Sequence, residues 1–577
     1  MGAKVVVALL VALAFLLPPL GPGASQPAGA GQKKWTVMVY MSADNNLEPD
    51  GIHDFNEMES VGSSDEVNIV VQFDRTPAYD ASNENWTGTR RYYITKDSDM
   101  TTISSKMMVD LGEANMGDPA TLSNYTTWAV DKYPAERYLV VFWDHGGAWH
   151  GVCWDDTDQD YLDMDNVSAA LKSLRDRLGR PVDLLGFDAC LMAGIEILYQ
   201  IRGLCDFAAT SGTTEPNEGW PYDWILPALV LKPEMTPREL AVEITNDYVD
   251  SYTDGKDDPA DTVLATMSAW EMSRVPYLFD LWNQLSMRLA TKALTYNAYI
   301  REVRAVTQGY DPAHVVFLDI TNYPLYDIYD FCNHFLRPMG GPFLGFVLDA
   351  GLRANIEAVQ NQFMASRVAE RHGPRYPDGF GLTVYFPSGN NSAASGTPKT
   401  QYDARYNNID FARDMYWDEF LQAYLGLTNV ANTPPYATIL SPADGATLSA
   451  DDGRVLVTGT SFDTAAVMEV KVRIDNGSWR KVEGIVNWQY RWDISSLKGT
   501  HTISAFASDG TYDSPVVSRT FDIQPTTNLS ARPGFAWAVG AGVAALAAVA
   551  MAGGWAWRRG ALGKISGRLK PEKKNSG

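Results

Sequence analysis

A histidine and a cysteine, each at the end of an apolar run, are the residues of this 577-residue chain best equipped to break a bond. The run Tyr138-Leu-Val-Val-Phe-Trp-Asp-His-Gly-Gly147 delivers His145, and Asp183-Leu-Leu-Gly-Phe-Asp-Ala-Cys190 delivers Cys190. An imidazole beside a thiol is the minimum apparatus of a cysteine nucleophile, because the ring takes the proton and the sulfur attacks. Gly146 and Gly147 leave the backbone open to a substrate carbonyl. The amides of Gly146 and Cys190 are candidate donors to the oxyanion that such an attack creates. A helix is expected from about Met192 to Leu204, which would place the sulfur near a positive helix end that favours thiolate. The plainer readings are a small buried cysteine and a turn histidine satisfied by backbone.

Such chemistry needs two strands side by side. Both runs have the continuous apolar character of strands buried on both faces. In an open α/β sheet, ligands gather in the crevice outside the carboxyl ends of parallel strands. The surrounding pattern supplies the rest of that sheet. Trp35 to Met41 and Val67 to Asp74 read as buried strands, and Phe207 to Ser211 as a further one. Helical stretches fall at about Leu47 to Val61, Thr121 to Tyr133 and Val167 to Leu178. Strands alternating with helices predict a mostly parallel sheet with helices on both faces. From about 235 to 425 helix patterns dominate. Val315 to Asp319 and Gly381 to Phe386 are expected as strands that extend the sheet or form a subdomain on it.

The two motifs come with others. Val37-Met-Val-Tyr-Met41 with Asp44, Trp143-Asp-His-Gly-Gly147, Asp155-Asp156, Asp188-Ala-Cys190, Glu215-Pro-Asn-Glu-Gly-Trp220 and Gly381-Leu-Thr-Val-Tyr-Phe-Pro387 together resemble the clostripain family of cysteine peptidases, over roughly residues 33–425. The resemblance implies a caspase-, gingipain- and legumain-like fold, a His145–Cys190 dyad, and cleavage of polypeptides after a basic residue. It also implies that Asp188 lines the pocket for the arginine or lysine side chain. The plainer reading of Asp188 is a turn-capping residue. Glu218 stands where the family usually has aspartate. The longer side chain narrows the pocket and leaves arginine against lysine open. Family members are often cut between the histidine and the cysteine, but no Lys or Arg occurs here between His145 and Lys172. Cutting at Lys172, Arg175, Arg177 or Arg180 would fall in or just after the expected helix, and the other expectation is an enzyme that works as one chain.

The remaining composition bounds the setting. The first 30 residues carry one positive charge and the last 20 a net +6, so a chain of net charge −23 holds −30 in its body. A body this acidic is a poor partner for nucleic acid. Lys4 followed by the apolar run Val5 to Leu17 reads as a signal peptide within residues 1–30. Twenty-five uncharged residues separate Arg532 from Arg558, with Trp537, Trp555 and Trp557 near the ends. This predicts a membrane helix over 534–557 and a basic cytoplasmic tail over 558–577. The expected location is thus the cell membrane, single-pass, with the N-terminal body outside. The peptidase-like domain is expected over 31–430, and a small immunoglobulin- or fibronectin-like β-sandwich over 431–526, beginning at the Asn432-Thr-Pro-Pro435 linker. The sandwich is read as a spacer.

Four cysteines are too few for a disulfide scaffold. Zinc-ligand spacing and phosphate-binding glycine loops are absent from the sequence, and the dyad requires no cofactor. Asp155, Asp156, Asp158, Asp160, Asp163 and Asp165 form an acidic stretch that reads as a solvated loop, with Ca²⁺ binding as the other reading. The rival to a peptidase is a catalytically inactive surface protein that binds polypeptide or glycan through a protease-like body.

Overall fold

The computed structural model describes residues 32–525, apart from 78, 254–263, 311–323, 338–342, 344–346, 389–401, 428–433, 451–452, 464–466, 486 and 511. The expected signal peptide, membrane helix, basic tail and the strand at Val315 to Asp319 lie outside these residues. No helix among the described residues is long and apolar enough to cross a membrane.

The larger unit is built on a nine-stranded sheet. Its strands are β1 (Lys33–Ala43), β2 (Val67–Arg75), β3 (Gly88–Tyr93), β4 (Lys106–Gly112), β5 (Ala135–Trp143), β8 (Val182–Asp188), β9 (Cys205–Thr210), β10 (Thr266–Glu271) and β13 (Arg367–His372). Strands β6 (Gly151–Asp155) and β7 (Asp160–Asp163) form a separate hairpin. Strands β11 (Gly309–Tyr310), β12 (Leu325–Asp327) and β14 (Thr383–Tyr385) form a small antiparallel sheet. The segment at Gly381 to Phe386 therefore belongs to this second sheet rather than extending the first.

The order across the main sheet is β13-β10-β9-β8-β5-β1-β2-β3-β4. The five strands from β9 to β2 are mutually parallel. Antiparallel strands flank them on both sides. Strand β1 has β2 on one side and β5 on the other, so successive connections leave it in opposite directions.

Alternation along the strands explains the two helix layers, since successive side chains point to opposite faces. Val37, Val39 and Met41 join one apolar cluster, and Met38 and Tyr40 join the other. The first cluster includes Ile52 and Phe55 of α1 (Glu48–Val61) together with side chains of α5 (Tyr222–Leu231) and α6 (Pro237–Thr253). The second takes in α2 (Pro119–Lys132), α3 (Met164–Leu178) and α4 (Ile195–Gln200). Each fully buried aliphatic or aromatic side chain contributes roughly 1.5–3 kcal/mol. Helix α3 starts where Asp163 accepts a hydrogen bond from the Asn166 amide and ends at Gly179 in the left-handed region. Lys172, Arg175 and Arg177 all lie within it.

The smaller unit is a β-sandwich. One sheet holds Tyr436–Ser441, Arg454–Phe462 and Asn487–Asp493. The other orders Thr447–Ser449, Val517–Gln524, Gly499–Ser508, Glu469–Ile474 and Arg480–Lys481. Val457, Trp488, Val472, Ile503 and Phe521 are buried in it.

Candidate active site

Strands β5 and β8 are parallel neighbours, with Trp143 opposite Asp188 at their last paired position. Two residues further along each strand come His145 and Cys190. The Asp144 amide donates to the Asp188 carbonyl at 3.2 Å, which continues the pairing past the strand ends. A Cβ placed on Gly146 would overlap the Cys190 carbonyl oxygen, so the two motifs touch backbone to backbone where only glycine fits. His145, Asp188, Cys190, Glu215 and Gly219 line one crevice. It opens beside the point where the connections from β1 diverge, the usual place for a ligand in such a sheet.

The histidine is held from β1. Asn46, just past the strand end, places Oδ1 2.9 Å from His145 Nε2. Its neighbour Asn45 donates to the Asp144 carboxylate at 2.8 Å. Burial pushes the His145 imidazolium down to about 4. Burial, and then the Glu215 charge, push the Cys190 thiol up to about 12. The Glu215 amide donates to Cys190 Sγ at 3.2 Å and works in the opposite direction. The free protein near neutral pH therefore holds a thiol and a neutral ring rather than an ion pair.

The expected helix at Met192 is corrected. Helix α4 begins only at Ile195, five residues beyond Cys190, and has six residues. The chain instead turns at Cys190–Leu191, and residues 191–193 are pinned to the segment after β9. The Leu191 amide donates to Thr213 O at 2.8 Å, and the Ala193 amide to Ser211 O at 2.7 Å. Leu191 has φ 67°, a conformation costing a leucine roughly 1–2 kcal/mol, and these two bonds hold it there. Meanwhile the Gly146–Val152 bridge is made by its neighbours: Cys153 N–H donates to His145 O, and Gly147 N–H to Gly151 O. The Gly146 amide stays outside that ladder.

Asp188 is 4% exposed. Its Oδ1 accepts from the Trp220 amide at 3.1 Å and its Oδ2 from the Tyr222 hydroxyl at 2.8 Å. Burial nonetheless pushes its carboxyl up to about 7. Glu215 and Asp54 lie close by, and both are raised well above the carboxylate range by burial and then by the Asp188 charge. Trp220 lies across Gly186 of β8, where a Cβ would stand 2.5 Å from the indole.

Of the residues singled out in the sequence, His145, Cys190, Asp188 and the Gly146 backbone come together. Glu218 does not line the crevice; it is exposed, and its charge acts on Asp50. Two residues of the site carry little signal in the sequence: Asn46, marked only by its place after an apolar strand, and Glu215, within the Glu215-Pro-Asn-Glu-Gly-Trp220 loop. All four cysteines are free, and Cys153, Cys205 and Cys332 are buried.

The clostripain-family model matches residues 39–424, and a bacterial Ig domain model matches 435–505. Clostripain of Hathewaya histolytica is 31% identical over 195 residues, which is 30% of this chain and 36% of that protein. The chain thus spans about a third of that relative's length. Two solved structures are also similar. One is a secreted C11 cysteine protease from Bacteroides thetaiotaomicron in complex with an irreversible peptide inhibitor. It is 20% identical, covers 67% of this chain and 99% of its own, and has a TM-score of 0.45. The other is an inactive zymogen C11 protease from Parabacteroides distasonis, 17% identical with the same coverage and TM-score. With the family model running over more than half of its length, the chain belongs to the clostripain family of cysteine peptidases.

Proposed function

We propose that the chain is a cysteine endopeptidase that cleaves polypeptides after basic residues, with His145 and Cys190 as its catalytic pair. The observation that carries this reading is the β5–β8 pairing, which brings both side chains to one crevice.

In the proposed reaction, His145 accepts the proton of Cys190 as Sγ attacks the scissile carbonyl. The amides of Gly146 and Cys190 receive the oxyanion. Collapse of the tetrahedral species expels the amine, which takes its proton from His145 and leaves a thioester. His145 then removes a proton from water, and the hydroxide attacks the thioester. Breaking the C–S bond releases the acid and returns the proton to Cys190. A guanidinium or ammonium entering beside Asp188 favours its ionised form, so the carboxyl releases its proton to water and the carboxylate pairs with the cation. A neutral side chain leaves a buried charge unpaired or a buried acid untouched, and this difference is the source of selectivity. The order of preference between arginine and lysine stays open.

The sequence alone supports export through residues 1–30 and anchoring by 534–557, which together place the body outside the cell. The test is hydrolysis of fluorogenic Arg and Lys peptides by the purified full chain. Turnover that persists undiminished in Cys190→Ala removes the assignment. Labelling by an acyloxymethyl ketone that is lost in His145→Ala separates a peptidase from an inert binding protein.

A further inference from the structure

Helix α1 gathers a histidine and two carboxylates at one place. His53 and Glu57 stand one helical turn apart and share a face, and Asp54 adjoins His53. One ring nitrogen of His53 and one carboxylate oxygen each of Asp54 and Glu57 lie within 4.8 Å of one another. The sequence holds no cysteine–histidine spacing of a zinc site. Here the helix itself brings the donors together, with Asp and Glu in place of cysteine.

Asp54 is the member that asks for a cation. Its side chain is 0% exposed, whereas that of His53 is 52% exposed. Oδ2 accepts from Trp143 Nε1 at 2.6 Å. Among the described residues, the partner of Oδ1 is His53 Nδ1, 3.5 Å away, at the long limit of a hydrogen bond. No Lys or Arg among the described residues pairs with Asp54. Burial, and then the charges of Asp188 and Glu57, raise its carboxyl well above the ordinary range. Buried charges in proteins are normally paired or coordinate metals.

We propose that His53, Asp54 and Glu57 bind a Zn²⁺ ion. Two tetrahedral ligands about 2.1 Å from zinc stand about 3.4 Å apart. His53 Nδ1 and Asp54 Oδ1 already stand at 3.5 Å. An imidazole among the donors favours zinc over Ca²⁺ and Mg²⁺, which take oxygen ligands. Asp54 supplies the buried ligand, His53 the one on the solvent side, and water takes the fourth position. Glu57 also reaches α5, where its Oε2 accepts from the Tyr222 amide at 2.9 Å. The Tyr222 hydroxyl in turn holds Asp188. A Cβ on Gly219 would stand 2.9 Å from Asp188 Oδ1 and 3.4 Å from Asp54 Oδ2, so the two carboxylates flank one glycine. The ion thus ties α1 to the end of β5 and the start of α5, behind the crevice. Zinc binding there does not require that the chain be a peptidase.

The test uses the full chain carrying Cys190→Ala, so that the crevice thiol cannot hold the metal. After treatment with a chelator and its removal, equilibrium dialysis against Zn²⁺ in excess Ca²⁺ counts bound zinc, and thermal melts are run with and without Zn²⁺. The expected result is a Tm raised by Zn²⁺. His53→Ala changes an exposed helix position to a good helix former. It should bind one zinc fewer per chain and lose the Tm rise. Glu57→Gln should weaken the zinc affinity about tenfold or more. Co²⁺ in place of zinc should give the parent the visible absorption of a tetrahedral site, and His53→Ala should lack it. A parent that binds no zinc, or an unchanged zinc count in His53→Ala, overturns the proposal and leaves His53 and Asp54 as a simple hydrogen-bonded pair.

Discussion

The side-chain oxygen of Asn46 lies 2.9 Å from Nε2 of His145. An amide oxygen only accepts, so Nε2 carries the ring proton and Nδ1 is the basic nitrogen. Asn46 thus sets the tautomer of the histidine from a neighbouring strand, as a positioning residue. One hydrogen bond is worth about 1 kcal/mol, so Asn46→Ala should lower kcat by about fivefold to tenfold and leave KM unchanged. Asn46→Asp should move the acid limb of kcat upward from about 4, because a carboxylate there favours the imidazolium. An unmoved acid limb in Asn46→Asp would show that the contact does not reach the ring.

With the proposed basic substrates, Asp188 should govern the pH dependence. Its carboxyl is pushed up to about 7 by burial. The protonated form carries no charge to pair with a substrate cation, so kcat/KM should rise as pH increases through about 7 and level off above. His145, at about 4, does not titrate in that window. Asp188→Asn should flatten the limb and lower kcat/KM about 30-fold or more, the equivalent of ~2 kcal/mol for losing one member of a buried charge pair. A pH profile from 5 to 9 on one Arg and one Lys substrate checks both statements.

Cys190 should be a sluggish thiol toward simple alkylating agents. Only thiolate reacts, and the thiol is pushed up to about 12. Iodoacetamide should label it more slowly than free cysteine at pH 7.5, and the rate should still be climbing above pH 9. A substrate-like ketone with a basic side chain, positioned by the crevice, should label faster than iodoacetamide. Labelling that saturates below pH 7 would indicate a resting ion pair instead.

Stability should depend on a contact at the start of α1. Arg75 Nε donates to Glu48 Oε1 at 2.7 Å, and both side chains are 0% exposed. Glu48 Oε2 also accepts from the Asp80 amide at 2.9 Å. Burial outweighs the Arg75 charge and raises the Glu48 carboxyl above its ordinary value. Glu48→Ala removes the shorter of the two ion pairs of a buried guanidinium and leaves it the 3.5 Å contact to Asp80 Oδ1, which should cost up to ~3–5 kcal/mol. Denaturant titration measures the loss, and a change under ~1 kcal/mol would contradict the ascribed role.

Much of the site could be read before the fold was seen, for a physical reason. Strands buried on both faces must be apolar throughout, so β5 and β8 announced themselves, and a polar residue just past such a run stands at the sheet rim. What escaped depended on adjacency. Nothing local in Asp44-Asn45-Asn46 reveals that β1 lies beside β5, and without that neighbour Asn46 is merely a turn residue. The segment from Met192 to Leu204 reads as one helix in the sequence. In the structure its first residues are buried in a stretch held by Thr213 and Ser211, and tertiary hydrogen bonds override the helical pattern. Strand β4 carries no alternation, because it is largely exposed at the sheet edge.

The hairpin that follows His145 has a further meaning for how such a molecule is controlled. Between its last residue, Asp163, and β8, the basic positions Lys172, Arg175 and Arg177 are wound into α3, and Arg180 stands just past its end, directly before Pro181. A protease reaching any of the first three must first unravel a capped helix packed against the core. Nicking within the helix is therefore mechanically disfavoured. Loosening the Asp163 cap would bring those three positions within a protease's reach.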